Sequence, residues 1–245
     1  MSTIKIQNLC FEQGKKIIFD KISFIIKKQK ITAIIGPCGC GKTTLLKLIT
    51  KQLIPTSGDI IINNKNINKL NEKEIYNIRK NIGILFQTNA LFSDLNLFDN
   101  VAFPIREHTN LPENLIRDIV SIKLNSVGLI NFINSMPHEI STGMAKRAAL
   151  ARTIAMDPKI IMYDEPFTGQ DPISLHSLLK LINSLNKLLK ITTIIVSHDI
   201  EETFKIADYV YIINNTRIIE KGTVKEIKET NNNFVKTFIN KKIEL

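Results

Sequence analysis

The sequence predicts an α/β fold: a largely parallel sheet covered by helices on both faces and interrupted by a mostly helical insert. Three observations carry this prediction. Apolar runs of strand length alternate with segments of helical spacing along most of the chain. A glycine-rich loop, "GPCGCGKTT", joins one strand directly to a helix. Two later apolar runs, "IIMYDE" and "IIVSHD", finish in carboxylates or an imidazole, as strands do when they end at a ligand-binding sheet edge.

The elements follow in order. "IKIQNLCF", "KKIIFDKISFII" and "KITAII" are apolar runs broken by charge or turn residues, so the opening third reads as strands. After Gly36 the period changes: "GKTTLLKLITKQL" places Leu45, Leu46, Ile49 and Leu53 on one side of a helix. "GDIIINN" predicts a strand, "NEKEIYNIRKN" a short polar helix, and "IGILFQ" a buried strand ending at Gln87. Residues 88–156 read as mostly helical, a subdomain inserted in one domain spanning 1–245. Within it Pro112 opens the helix "ENLIRDIVSIKLNSVG" and Gly128 closes it. Beyond lie the strand "KIIMYDEP", the helix "PISLHSLLKLINSLNKLLK", the strand "ITTIIVSHD", the helix "IEETFKIA" and the strand "YVYIINN". "TNNN" at 230–233 predicts a loop before a short last helix.

The totals narrow the class. At 245 residues, 44% hydrophobic and 23% charged, the chain suits a globular domain with a substantial core. The first residues carry no apolar h-region, and no apolar run is long enough to span a membrane, so a cytoplasmic location is expected. Cys10, Cys38 and Cys40 form no paired framework and no zinc-type spacing, which suits a reducing compartment. A net charge of +10 raises nucleic acid as a partner. The lysines, however, are scattered among isoleucines and asparagines, with no dense basic block interleaved with aromatics. No nucleic-acid binding is therefore expected.

The chemistry concentrates in three places. Gly36, Pro37, Cys38, Gly39, Cys40, Gly41, Lys42, Thr43 and Thr44 match G-x-x-x-x-G-K-[ST] between a strand and a helix. Such a loop turns its amides toward the phosphates of a nucleotide, adds the positive end of a helix, sends Lys42 to the β- and γ-phosphates and offers the Thr43 hydroxyl to Mg²⁺. Cys38 and Cys40 are expected to point away from the phosphates. At the end of "IIMYDE", Asp164 and Glu165 are consecutive; strand alternation would aim one at Mg²⁺ and the other at the attacking water. His198 ends a third strand, where a lone histidine is ordinarily structural.

Taken together, these motifs resemble the ATP-binding-cassette (ABC) ATPases over nearly the whole chain. The Walker A loop is Gly36–Thr44, the Q-loop stands at Gln87, the signature is "ISTGM", Walker B is "IIMYDE", the D-loop is "GQDP" and the H-loop is His198. The resemblance implies a nucleotide-binding domain with a P-loop core, an N-terminal antiparallel β subdomain and an inserted helical subdomain. It also implies ATP and Mg²⁺ as cofactors and a head-to-tail homodimer. It makes Glu165 the base, His198 a γ-phosphate sensor, and Gln87 a residue that contacts Mg²⁺ or the water, with Thr43 and Asp164 on the metal. Ser141 and Gly143 would begin a helix that caps ATP on the other subunit; the serine also suits a helix cap. Thr142, where that family has a glycine, adds β-branched bulk near the phosphate. The position where relatives stack adenine is Gln13, while Phe11 reads as strand core.

Outside these motifs, "FPIREHTNLPE", the methionine of "GMAKR" and "DEPFTGQDPI" resemble the ATPases of Mla-type phospholipid transporters that work with MCE proteins. That branch implies a peripheral location on the cytoplasmic face of the inner membrane, beneath an integral-membrane permease. An MCE lipid-binding protein and a STAS-domain subunit would be further partners. Two alternatives remain open: the ATPase of a polar-solute importer, and a soluble ABC ATPase such as an iron–sulfur assembly factor.

Overall fold

The computed structural model describes residues 2–240. The chain opens with β1 (Ser2–Gln13) and β2 (Lys16–Lys27), followed by β3 (Ile31–Ile35), α1 (Lys42–Ile49), β4 (Ser57–Ile62) and β5 (Lys65–Asn66). Next come α2 (Glu72–Arg79), β6 (Ile82–Leu85), α3 (Leu97–His108), α4 (Glu113–Ser126), α5 (Thr142–Thr153) and β7 (Ile160–Asp164). The last stretch holds α6 (Pro172–Leu189), β8 (Thr192–Ser197), α7 (Ile200–Ile206), β9 (Tyr209–Asn214), β10 (Arg217–Gly222), α8 (Val224–Lys228) and α9 (Asn233–Asn240).

Two sheets result. The first is antiparallel, in the order β2-β1-β4-β5, with Ile4 opposite both Ile26 and Ile62. Along β2, Ile22, Phe24 and Ile26 are buried while the residues between them are exposed, the period of a sheet with one covered face. The second sheet runs β10-β9-β3-β8-β7-β6, parallel throughout except for the last hairpin, where β10 pairs antiparallel with β9. Its inner strands are apolar on both sides because both faces are covered. Met162, Ile194 and Ile213 point into the core shared with α1 and the first sheet, and Ile161, Ile195 and Ile31 into the core against α6.

Between β6 and β7, the helices α3, α4 and α5 close a core of their own from Leu97, Val101, Ile105, Ile116, Val120, Leu124, Ala148 and Ala151. The end signals act as the sequence suggests: Pro112 stands at the N-cap of α4 and Gly128 follows its C-terminus at φ 71°. α2 carries a full capping box from Asn71 and Glu74.

Some boundaries differ from the sequence reading. The helix after the glycine-rich loop stops at Ile49, because the chain turns left-handed at Lys51, so Leu53 packs on the core from the following loop. The strand before Gln87 ends at Leu85. The hairpin strand "RIIEKG" and the short helix "VKEIK" follow the last strand read from sequence, and Asn233 already belongs to α9. "RIIEKG" has little alternation and becomes a strand by pairing on β9.

Asn100 ties α3 to the residues just before it. Its side chain is fully buried; Oδ1 accepts from Phe92 N at 2.9 Å, and Nδ2 faces the carbonyls of Phe92, Leu95 and Asn96 at 2.9 to 3.1 Å. Asn100→Ala should strand these buried groups and cost about 3 kcal/mol. A urea titration of both proteins reads this directly, and a midpoint within the error of the parent would refute it.

Candidate functional site

Four neighbouring strands of the parallel sheet end at one edge, and the chemistry collects there. β3 leads into the glycine-rich loop, β8 ends before His198, β7 ends at Asp164, and β6 ends two residues before Gln87. Register makes the alignment: Asp164 lies opposite Val196, and Ile35 opposite Ser197. A cleft of about 570 Å³ opens over this edge, lined among others by Gln13, Lys16, Lys42, Gln87, Glu165 and His198.

The loop itself is built around glycine. Gly41 sits at φ 98° immediately before α1, and a Cβ there would come within 2.9 Å of the Phe19 ring. Only glycine tolerates both that backbone and that contact. α1 begins at Lys42, so the free amides of its first turn face the loop. Lys42 is almost fully buried; Nζ donates to the carbonyls of Gly36 at 2.9 Å and Pro37 at 3.2 Å, and lies 3.3 Å from Glu165 Oε1. Thr44 also lines the cleft. The two loop cysteines differ. Cys40 packs against the core, and burial raises its thiol pKa. Cys38, expected to point away from the phosphates, is exposed and contributes to the cleft lining, because the loop curls around the cleft.

The two carboxylates part company for a reason other than strand alternation. Asp164 is the last residue of β7, while Glu165 leaves the strand in a left-handed conformation, φ 48°, with its N–H bonded to Val196 O at 2.9 Å. That backbone costs about 1–2 kcal/mol in an L-residue and is held by the contacts around it. Asp164 Oδ1 accepts from the Thr43 hydroxyl at 2.9 Å. Burial pushes the Asp164 carboxyl above its ordinary range, and the Thr43 hydrogen bond opposes the shift. Glu165 Oε2 meets His198 Nδ1 at 2.7 Å and accepts from His198 N at 3.1 Å. One buried carboxylate thus spans the Lys42 ammonium and the His198 ring.

Thr43 Oγ1 and Asp164 Oδ1 are hard oxygen donors beside a phosphate-type loop, which suits Mg²⁺. Among the described residues no cluster of three or more His, Cys, Asp or Glu could hold a metal by itself. Gln87 is exposed and lines both this cleft and an adjoining one with Thr43 and Asp164.

Ser141 and Gly143 do not line this cleft among the described residues. Ser141 caps α5, its Oγ accepting from Met144 N at 3.2 Å, and both Ser141 and Thr142 are exposed. Gly143 is buried where any Cβ would collide with the Ser174 side chain, so α5 rests directly on α6. Phe11 is buried in the core, as expected, leaving Gln13 and Lys16 at the cleft.

The sequence reading did not single out Lys146. It is 2% exposed and donates to Gln87 O at 2.8 Å. Burial lowers its pKa while the charge of Asp164 raises it. Its spacing was the available signal: Gly143, Lys146 and Leu150 fall on one stripe of α5, and all three are buried.

Known proteins are similar to this chain in sequence and fold. The ABC transporter family model matches residues 19–168, more than half of the chain. The chain is 55% identical, over 93% of its length and 86% of the relative, to the intermembrane phospholipid transport system ATP-binding protein MlaF of Haemophilus influenzae. It is 45% identical to the protein of the same name from Escherichia coli, over 96% and 88%. Among solved structures it superposes on cbiO1 of Clostridium perfringens with a TM-score of 0.85 at 31% identity, covering 100% of this chain and 99% of that one. It also superposes on the dimeric ATP-binding cassette MJ0796 in a post-hydrolysis state bound to ADP and Pi, with a TM-score of 0.81 at 27% identity over 90% and 98%. The chain belongs to the ABC transporter family and is an ATP-binding, ATP-hydrolysing protein. It is similar along nearly its full length to the MlaF proteins.

Gly41→Ala should force both a strained φ and a clash with Ile18 and Phe19. ATP affinity is expected to fall at least about tenfold, roughly 1.4 kcal/mol, at unchanged oligomeric state. Titration with a fluorescent ATP analogue measures it, and parent-like binding would contradict the role of this glycine.

Proposed function

We propose that this chain, as one nucleotide-binding domain over 1–245, is the ATPase of a phospholipid transporter on the cytoplasmic face of the inner membrane. It works as a head-to-tail homodimer beneath an integral-membrane permease, with an MCE lipid-binding protein and a STAS-domain subunit as further partners. The observation that carries the ATPase mechanism is the buried Glu165, joined to Lys42 on one side and His198 on the other. The lipid substrate rests on the named function of the relatives, phospholipid transport between membranes. No described helix is long and apolar enough to cross a membrane; in this reading the permease supplies the path through it. A groove of about 540 Å³ with Phe86, Phe92 and Phe103 in its lining, each exposed, supports docking of that partner.

The residues divide the work as follows. The amides of 36–44 and the Lys42 ammonium bind the phosphates, and Thr43 with Asp164 would hold Mg²⁺, which supplies charge neutralisation at the phosphates. A triphosphate in the loop draws Lys42 toward itself and away from Glu165. Glu165, relieved of its cation, orients and deprotonates water. His198, held by Glu165, faces the terminal phosphate. Gln87 sits between the metal ligands and the docking groove. Ser141 and Gly143, lying outside their own cleft, reach the ATP of the second subunit, where the α5 N-terminus favours the anion.

Glu165→Gln should keep ATP binding and lower kcat by 10² or more, the usual size of a general-base contribution. ATP should then shift the protein to a dimer on gel filtration. Unchanged turnover would remove Glu165 as the base.

Thr142 adds an exposed branched side chain at the α5 entrance without disturbing the cap. Thr142→Gly is expected to leave ATP binding alone and raise turnover about twofold, within the few tenths of a kcal/mol that a first-turn contact commands. Steady-state ATPase assays decide it, and a fall in turnover would reverse the assignment. Affinity purification of the tagged chain from mild detergent tests the whole reading: a polytopic permease with bound phospholipid is expected, and recovery free of any membrane protein would favour a soluble ABC ATPase.

A further inference from the structure

Beyond Gln87 the loop is held in an unusual shape. Asn89 and Ala90 both lie in the left-handed region, at φ 62° and 52°. Two consecutive non-glycine residues in that region cost about 1–2 kcal/mol each. Two cations of α5 oppose the strain. Lys146 Nζ donates to Gln87 O at 2.8 Å, and Arg152 donates to Ala90 O at 2.8 Å and Asn89 O at 3.0 Å. The Arg152 guanidinium also lies 5.5 Å from the Phe92 ring. Both cations are spent on main-chain carbonyls, in bonds stronger than neutral ones. Lys146 and Arg152 stand nearly two turns apart on one helix, so the loop is gripped at two points by a rigid element.

We propose that Lys146 is a positioning residue. By holding the carbonyl of Gln87 from the helix that Ser141 caps, it makes Gln87 follow any displacement of that helix. This deepens the proposed function and rests on its placement of Gln87 at the nucleotide. When Ser141 closes on ATP across the dimer, α5 shifts and carries the Gln87 backbone with it through Lys146. Arg152 keeps the rest of the loop in the strained shape that transmits the movement. Closure of one nucleotide sandwich is thereby sensed within the neighbouring cleft of the same chain.

The chain contains no tryptophan, so Phe86→Trp, at an exposed position beside Gln87, places a unique fluorophore on the loop. In full-length protein carrying this reporter, ATP should shift the emission. Lys146→Met should abolish the shift and lower kcat about tenfold, while a fluorescent ATP analogue binds within about twofold of the parent; these fold-changes are order-of-magnitude expectations for one lost charge-assisted bond. Lys146→Arg should restore both. A lysine serving only the fold would lower melting temperature and ATP affinity along with turnover, and arginine would not selectively recover the optical signal. If the methionine protein does not fold, Lys146→Gln is read the same way, since its shorter amide stops short of the Gln87 carbonyl. An ATP-induced shift and kcat that persist in the folded methionine or glutamine variant overturn the tether. Absence of ATP binding or hydrolysis in the parent would instead overturn the proposed function.

Discussion

Parallel pairing of β3, β8, β7 and β6 brings Lys42, Thr43, Gln87, Asp164, Glu165 and His198 to one edge of one sheet. Parallel strands need crossover connections, and those connections place all four carboxyl ends on the same side. A one-residue slip between β7 and β8 would turn Asp164 to the opposite face and part it from Thr43. The doubly buried strands resist such a slip, because Ile161, Met162, Ile194 and Ile195 fill cores on both sides. The hydrophobic packing of the sheet is thus also what sets hydrogen-bond distances in the cleft.

On that scaffold, one buried carboxylate organises the charges. Glu165 neutralises Lys42, which is itself buried, and fixes the His198 ring. A buried charge without a partner is costly, and a partner that a ligand can withdraw makes the pairing a switch. The left-handed backbone at Glu165 aims the side chain across the cleft instead of along the pleat. Asp164, one residue earlier, keeps the strand conformation and the hydroxyl of Thr43. Adjacent acids therefore serve different partners because the chain turns between them.

The helices between β6 and β7 carry an apolar core of their own. The segment after β6 meets the helices of the insert through Lys146 and Arg152 on main-chain carbonyls, through the Asn100 amide and through Phe92 against Phe103, while Gly143 lets α5 sit against α6. Ser141 at the free end of α5 lies outside its own cleft, which is the arrangement a head-to-tail partner requires.

Local chemistry made much of this legible in advance. The glycine spacing and the strand-to-helix context announced the loop between β3 and α1, and apolar runs ending in Asp164 or His198 announced the sheet edge. Pro112 and Gly128 bracketed α4. Each of these signals depends on residues close in sequence, through backbone sterics, capping and periodicity. Tertiary structure alone decided the rest. "RIIEKG" is a strand because β9 offers it an edge, and the residues after β6 turn their carbonyls to Lys146 and Arg152 of α5. Glu165 leaves the strand left-handed with its N–H bonded to Val196 O, and Lys146 is buried with a hydrogen-bond acceptor in a carbonyl 59 residues away in sequence. Those outcomes are set by long-range partners, whose positions are fixed only when the two sheets and the insert have packed.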